Sequence, residues 1–199
     1  MQHSSAERDF SGYNAAQAER SVRPLAIAAV DAAGRAGEVS RRTAIDLGCG
    51  RGIEARFLAE SGYEVHVFDV DPSVAPALGM LAAELPVHPE IIDLAEIEDL
   101  PGADLVLACA ALPFLRRDAF DGLWSAAVAA LRPGGILAVD LFGVHDDWAT
   151  TEGTYLTRAE VERLLAGFEV IELAEEQHDG RSFSGPKHWH TFRILARRP

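Results

Sequence analysis

Between residues 43 and 142, short and nearly continuous apolar runs alternate with segments whose apolar residues recur every three or four positions. The runs are Ala44, Ile45, Asp46 and Leu47, then 65–68, a weaker one over 87–92, then 105–108 and 136–139. Strands apolar along their length must be covered on both faces, so the alternation predicts a parallel sheet with helices on each side. The clearest helix carries Phe120, Leu123, Trp124, Ala127, Val128 and Leu131 on one stripe and should stop before Pro133-Gly134-Gly135. Ahead of the first strand, Val22, Leu25, Ala26, Ala29 and Val30 recur at helical spacing up to Gly34 and Gly37. They predict a leading helix within 13–37, preceded by a mobile arm over 1–12.

After the fifth run the pattern changes. Thr157 and Glu160 form a capping-box signature before Val161, Leu164 and Leu165. Apolar runs at 170–173 and 189–195 then follow with only the polar, turn-rich stretch 177–186 between them. Without a crossover helix two such strands must pair antiparallel. The fold class expected is α/β: a doubly wound, seven-stranded, Rossmann-like sheet, mostly parallel with the last strand antiparallel.

At 199 residues with 48% hydrophobic side chains, one domain with a sizeable core is expected. The 31 acidic against 18 basic residues give a formal charge of -13, a field that disfavours phosphate backbones and anionic membrane surfaces as partners. The two cysteines, Cys49 and Cys109, fit no disulfide framework or zinc pattern, so a cytoplasmic, reducing setting is expected.

The first run leads into Gly48-Cys49-Gly50-Arg51-Gly52 and then a helix carrying Ile53, Phe57 and Leu58. Glycines after a strand let the backbone approach a ligand. A dinucleotide fingerprint needs glycine at the first, third and sixth positions, and the sixth from Gly48 is Ile53. A phosphate-binding P-loop would end in Gly-Lys-Ser/Thr, which is absent. A nucleoside without a demanding phosphate remains. Asp69 closes the second run, where a carboxylate can accept hydrogen bonds from both hydroxyls of a ribose, whereas Asp71 before Pro72 and Ser73 suits a helix cap.

Asp46-Leu47-Gly48-Cys49-Gly50-Arg51-Gly52, Asp69 with Val70, and Leu131-Arg132-Pro133-Gly134-Gly135 together resemble the successive motifs of class I S-adenosylmethionine-dependent methyltransferases. The resemblance is nearest to the small-molecule branch, which includes tellurite-resistance-type enzymes. It implies S-adenosylmethionine as cofactor, S-adenosylhomocysteine as product and a small-molecule acceptor. Carried onto this chain, it places Gly48 and Gly50 at the methionine portion of the cofactor and Asp69 at the ribose, with Asp46, Cys49 and Val70 also among the cofactor-binding residues. Asp93 and Leu94 fall at the adenine, with Glu96, Glu98 and Asp99 as competing acids. Ala108 and Cys109, where relatives carry an acid or asparagine, would contribute backbone contacts. Tyr13, Arg20 and Arg23 become candidates to cover the cofactor, Arg23 by pairing with its carboxylate. Residues 43–142 would form the cofactor-binding core and 143–199 the substrate-side loop, helix and final strands of one domain.

Methyl transfer from a sulfonium is an in-line displacement that needs alignment and exclusion of water, so the catalytic side chain is left unassigned. Where the acceptor must lose a proton, a histidine is the natural base, and His145, His188 and His190 are candidates. His188 and His190 share a face by strand alternation and could share a metal, but further ligands are missing and no metal is expected. The competing reading is a cofactor-binding sensor or complex subunit without transferase activity.

Overall fold

A computed structural model describes residues 9–17, 19–34 and 42–199. Its strands are β1 (Arg42–Leu47), β2 (Tyr63–Asp69), β3 (Val87–Ile91), β4 (Ala103–Ala108), β5 (Leu131–Gly143), β6 (Tyr155–Leu156), β7 (Glu169–Ser182) and β8 (Gly185–Arg197). The helices are α1 (Phe10–Ala16), α2 (Pro24–Ala33), α3 (Ile53–Glu60), α4 (Ala75–Glu84), α5 (Arg117–Ala130) and α6 (Arg158–Leu164). The sheet order is β3-β2-β1-β4-β5-β8-β7, and β8 runs antiparallel to both β5 and β7. These are the seven strands expected. The two-residue β6 is an eighth, pairing parallel with β5 at Phe142 and Gly143.

Two apolar layers cover the sheet. One packs Ile45, Val106, Leu137, Val139 and Ile194 against α5 residues Phe120, Leu123 and Trp124. The other packs Ala44, Val65, Leu105, Ile136 and Leu195 against Leu25 and Ala29 of α2, Leu58 of α3 and Leu78 of α4. Alternate residues of each central strand feed opposite layers, which is why the runs are apolar throughout. Among the described residues no helix is long and apolar enough to cross a membrane.

Local chemistry sets the boundaries. Thr157 and Glu160 form the reciprocal capping box at α6, and α5 ends at Ala130, before Pro133-Gly134-Gly135. The single leading helix expected over 13–37 is instead two. Pro24 opens α2 at its first turn and holds Arg23 extended at φ -69 and ψ 141, so the chain straightens between α1 and α2. Residues 9–12, expected in the mobile arm, cap and begin α1, with Gly12 N donating to Asp9 Oδ1 at 2.7 Å. Residues 1–8 and 35–37 lie outside the described residues.

The stretch 177–186 also differs from expectation. It continues both strands, with Gln177 opposite His190 and Ser182 opposite Gly185, leaving Phe183 and Ser184 at the tip. Its polar residues are tolerated because the hairpin extends past the apolar layers. Lys187 anchors the hairpin to the loop after β5. Its side chain is 1% exposed, and Nζ lies 2.6 and 2.7 Å from the two oxygens of the buried Asp146. Asp146 also accepts the backbone N–H of Trp148 and of His190. The ammonium sits 3.4 Å from the Trp189 ring centre, 3.9 Å from Trp148 and 4.6 Å from Phe142. Burial lowers the Lys187 pKa while Asp146 opposes the shift.

Removing one member of a buried pair strands the other's charge, at a cost of about 3–5 kcal/mol. Lys187→Met is therefore expected to lower the unfolding free energy in urea by about that amount. Adding Asp146→Asn should recover part of the loss, giving a coupling energy in the double-mutant cycle.

Candidate cofactor and acceptor site

The carboxyl ends of β1, β2, β4 and β5 open into a cavity of about 790 Å³ roofed by α1 and by the tip of the β7–β8 hairpin. This lies in the upper part of the range of about 300–1,000 Å³ typical of ligand sites.

The turn between β1 and α3 forms one end. Gly48 has φ +73, and a Cβ there would stand 2.2 Å from the Ala111 Cβ. Gly50 has φ +52, and its Cβ would meet Asn14 Oδ1 at 2.8 Å. Left-handed backbone and close neighbours thus both demand glycine. Asp69 ties this turn to β2: Oδ2 accepts Gly50 N at 2.7 Å and Oδ1 accepts Asp71 N at 2.9 Å. Val70 N–H also acts on this carboxylate, which still has acceptor capacity left beyond its backbone partners. Burial raises the Asp69 carboxyl pKa against the pull of these N–H groups. Asp71 caps the following turn through Ser73 N, and it accepts Asn14 Nδ2 at 2.8 Å, tying α1 to the site. Asp93 caps its own turn through Ala95 N and lines the cavity with Leu94 and Val70. Its competitors Glu96, Glu98 and Asp99 do not line it.

Deeper in, two buried polar atoms have no hydrogen-bond partner among the described residues: Asp46 Oδ2 and Arg23 Nε. Asp46 is 2% exposed, and burial, with Glu54 and Asp69 adding repulsion, pushes its carboxyl well up. Arg23 Nη2 donates to Tyr13 Oη at 3.0 Å. Arg20, a candidate cover, lines the cavity but is engaged by a bidentate pair with Glu54, which also accepts Arg23 N. Burial acts to raise the Glu54 pKa, but Arg20 outweighs it and the net shift is downward. Cys49 and Cys109 line the same space, and burial pushes both thiols well above the usual range, which keeps them protonated and poorly nucleophilic. Ala110 adopts φ +56, a strained backbone for a non-glycine residue, at the cavity wall after β4.

The other end is built from later segments. Asp140 on β5 faces Arg193 on β8 as a direct cross-strand partner, with Arg193 Nε 4.0 Å from Asp140 Oδ1. Phe114, Phe142, Trp148 and Trp189 form a connected aromatic wall with ring centres 5.5 to 5.9 Å apart. Glu176 and His178 on β7 and Thr191 on β8 complete this side. At the mouth, Tyr13 of α1 meets Phe183 of the hairpin tip edge to face at 6.1 Å.

Of the candidate cofactor residues, Tyr13, Arg23, Asp46, Gly48, Cys49, Gly50, Asp69, Val70, Asp93, Leu94 and Cys109 line the cavity. Ala108 does not; its side chain is wholly buried in the layer under α5. Nor do the three candidate bases. His188 and His190 do share a face of β8, but the cavity receives the alternate residues Trp189, Thr191 and Arg193. The His190 ring lies over Gly143, accepts His145 N at 3.1 Å on Nδ1 and contacts Glu175 with Nε2 at 3.0 Å. His145 stacks on it at 5.2 Å, and His188 pairs with Asp179. Asp140 is one of the titratable groups that sequence reasoning passed over, with Glu54, Glu176, His178 and Arg193. Its signal was an acid interrupting the apolar run of β5.

Burial raises the Asp140 pKa from 3.8 to about 6, with Arg193 and Arg23 pulling it down and Glu172 and Glu176 pushing it up. Ionisation thus costs more in the fold than in the unfolded chain. The associated stability is full below pH 3.8 and is lost as pH rises through about 6. Asp140→Asn does not titrate, so urea unfolding should show wild type losing about 2–3 kcal/mol relative to the variant between acid and neutral pH.

A family model described as a methyltransferase domain matches residues 45–137. Hemagglutinin 1 of Eikenella corrodens is 34% identical over 93 residues, covering 46% of this chain and 31% of that protein, so the chain spans less than a third of this relative's length. TehB from Haemophilus influenzae superposes with a TM-score of 0.75 at 16% identity, covering 89% of this chain and 63% of that one. The 1,6-didemethyltoxoflavin-N1-methyltransferase of Burkholderia thailandensis, solved with 1,6-didemethyltoxoflavin and S-adenosylhomocysteine, gives 0.67 at 22% identity over 94% and 82% of the two chains. Magnesium protoporphyrin IX methyltransferase from Synechocystis PCC 6803, with bound S-adenosylmethionine, gives 0.67 at 15% over 97% and 92%. At these identities the structures speak for the fold. Residues 45–137 thus match a methyltransferase-domain model, and the chain as a whole has the doubly wound fold of the methyltransferase structures it superposes on.

Proposed function

We propose that this chain transfers a methyl group from S-adenosylmethionine to a small-molecule acceptor in the cytoplasm. The carrying observation is the pair of unpartnered buried atoms, Asp46 Oδ2 and Arg23 Nε, at the end of the cavity beside the glycine turn. A buried carboxylate and a buried guanidinium with open hydrogen-bonding positions suit the amino and carboxylate groups of an amino-acid tail. The free acceptor positions of Asp69 suit the ribose, and Val70, Leu94 and Asp93 suit an apolar base with an exocyclic amine. Bound there, the cofactor supplies an activated methyl on a sulfonium.

The chain's own part is to orient and to exclude water. Asn14, held by Asp71, and Tyr13, held by Arg23, place α1 across the cavity. Asp140, Arg193 and the aromatic wall leave a second compartment beyond the cofactor end, which favours a transferase over a sensor whose site ends at its cofactor. The fold neighbour solved with 1,6-didemethyltoxoflavin and S-adenosylhomocysteine supports a small-molecule acceptor.

Calorimetric titration should show saturable binding of S-adenosylmethionine and S-adenosylhomocysteine, and absence of both would overturn the reading. Asp69→Asn keeps the shape but replaces one acceptor oxygen with a donor. It should weaken binding by about tenfold or more, since roughly 1.4 kcal/mol corresponds to a factor of ten.

A further inference from the structure

The compartment opposite the cofactor end has a composition that discriminates between acceptor classes. Its wall is the cluster of Phe114, Phe142, Trp148 and Trp189. Such rings could form a cage for a cation. Here the cation position among Phe142, Trp148 and Trp189 is filled from behind by Lys187, itself neutralised by Asp146. The wall therefore presents ring edges and faces to a flat neutral molecule and does not present an empty cage to an ammonium. At its margin, Arg193 Nε is buried with no hydrogen-bond partner among the described residues. The Asp140 carboxylate beside it receives no hydrogen bond from any of them and stands 4.0 Å from that nitrogen. One unmet donor and one unmet acceptor converge next to an aromatic wall.

We propose that the acceptor is a neutral, flat aromatic or heteroaromatic molecule bearing a ring hydroxyl or ring N–H, stacked on this wall, with Arg193 donating to it and Asp140 removing its proton. The proposal rests on the cofactor reading above. The proton moves from the ring oxygen or nitrogen to an Asp140 oxygen, and the freed lone pair forms the bond to the methyl carbon. The methyl–sulfur bond breaks with its electron pair returning to sulfur, leaving neutral S-adenosylhomocysteine. Charged and titratable groups face Asp140 from each neighbouring element: Cys109 just after β4, Arg193 on β8, Glu172 and Glu176 on β7, and Arg23 ahead of α2. Their sum, dominated by burial, holds the carboxyl at about 6. At neutral pH it is ionised and basic enough to act.

The test uses the full chain loaded with S-adenosylhomocysteine, so that binding is read without turnover. The probes are 4-nitrophenol, catechol, 2-hydroxypyridine and 8-hydroxyquinoline. Tryptophan quenching follows binding, and nitrophenolate absorbance follows proton removal at a pH where the free probe is mostly protonated. Parallel incubations with methyl-labelled S-adenosylmethionine include ethanolamine and 2-mercaptoethanol as aliphatic competitors. At least one aromatic probe should bind saturably and become methylated, and Trp189→Ala should weaken its binding about tenfold or more. Asp140→Asn should keep S-adenosylhomocysteine affinity, lose the nitrophenolate signal and lower transfer by about 100-fold or more. Binding of none of the four while S-adenosylhomocysteine still binds, labelling of the aliphatic compounds alone, or undiminished transfer by Asp140→Asn would each overturn the proposal. Failure of wild type to bind S-adenosylhomocysteine would instead bring down the cofactor reading, and the proposal with it.

Discussion

A carboxylate set against the apolar layer of a sheet must find a partner or surrender its charge, and this constraint organises the molecule. On the face toward α2, the strands carry alanine, leucine and isoleucine until the last steps before their carboxyl ends. There Asp46 on β1, Cys109 just past the end of β4, Asp140 on β5 and Arg193 on β8 succeed one another across the sheet. The apolar layer below makes Asp46, Cys109 and Asp140 costly to ionise. The loss of cover above gives them a cavity. Proximity of the two environments is what shifts Asp46 and Asp140 in the same direction.

The end of the cavity proposed for the cofactor is short-range in sequence, and that is why its lining was legible. Gly48 and Gly50 follow their strand directly, Asp69 closes the neighbouring strand, and Asp93 caps the turn after the third. Each role is fixed by a turn, a cap or a close backbone approach that a few adjacent residues encode. The acceptor end gathers Phe114, Asp140, Trp148, His178 and Trp189 from segments whose meeting depends on the register of β5, β8 and β7. Alternation placed His188 and His190 together on one face. It could not say which face met the cavity, because that is decided by the pairing of Asp140 with Arg193.

Two further departures have similar roots. The polar stretch 177–186 resembles a loop because one of its faces meets solvent and the other meets a ligand space, so no apolar period remains to mark it as strand. Pro24 carried the signal for the break between α1 and α2, but the apolar spacing of Leu25, Ala26, Ala29 and Val30 ran up to it without interruption on the other side. In both places tertiary geometry, and a single backbone restriction, outweighed the pattern of side chains.

Lys187 is the only lysine among 18 basic residues, and its side chain is 1% exposed. The folded surface therefore offers no lysine amine to acylating reagents, amine-directed cross-linkers or enzymes that modify lysine. Its positive charge is carried by arginine, which stays protonated across the working pH range. Chemical labelling at Lys187 becomes a readout of whether the hairpin has come away from the loop that holds Asp146, and an intact fold hides the one lysine at which such tagging could occur.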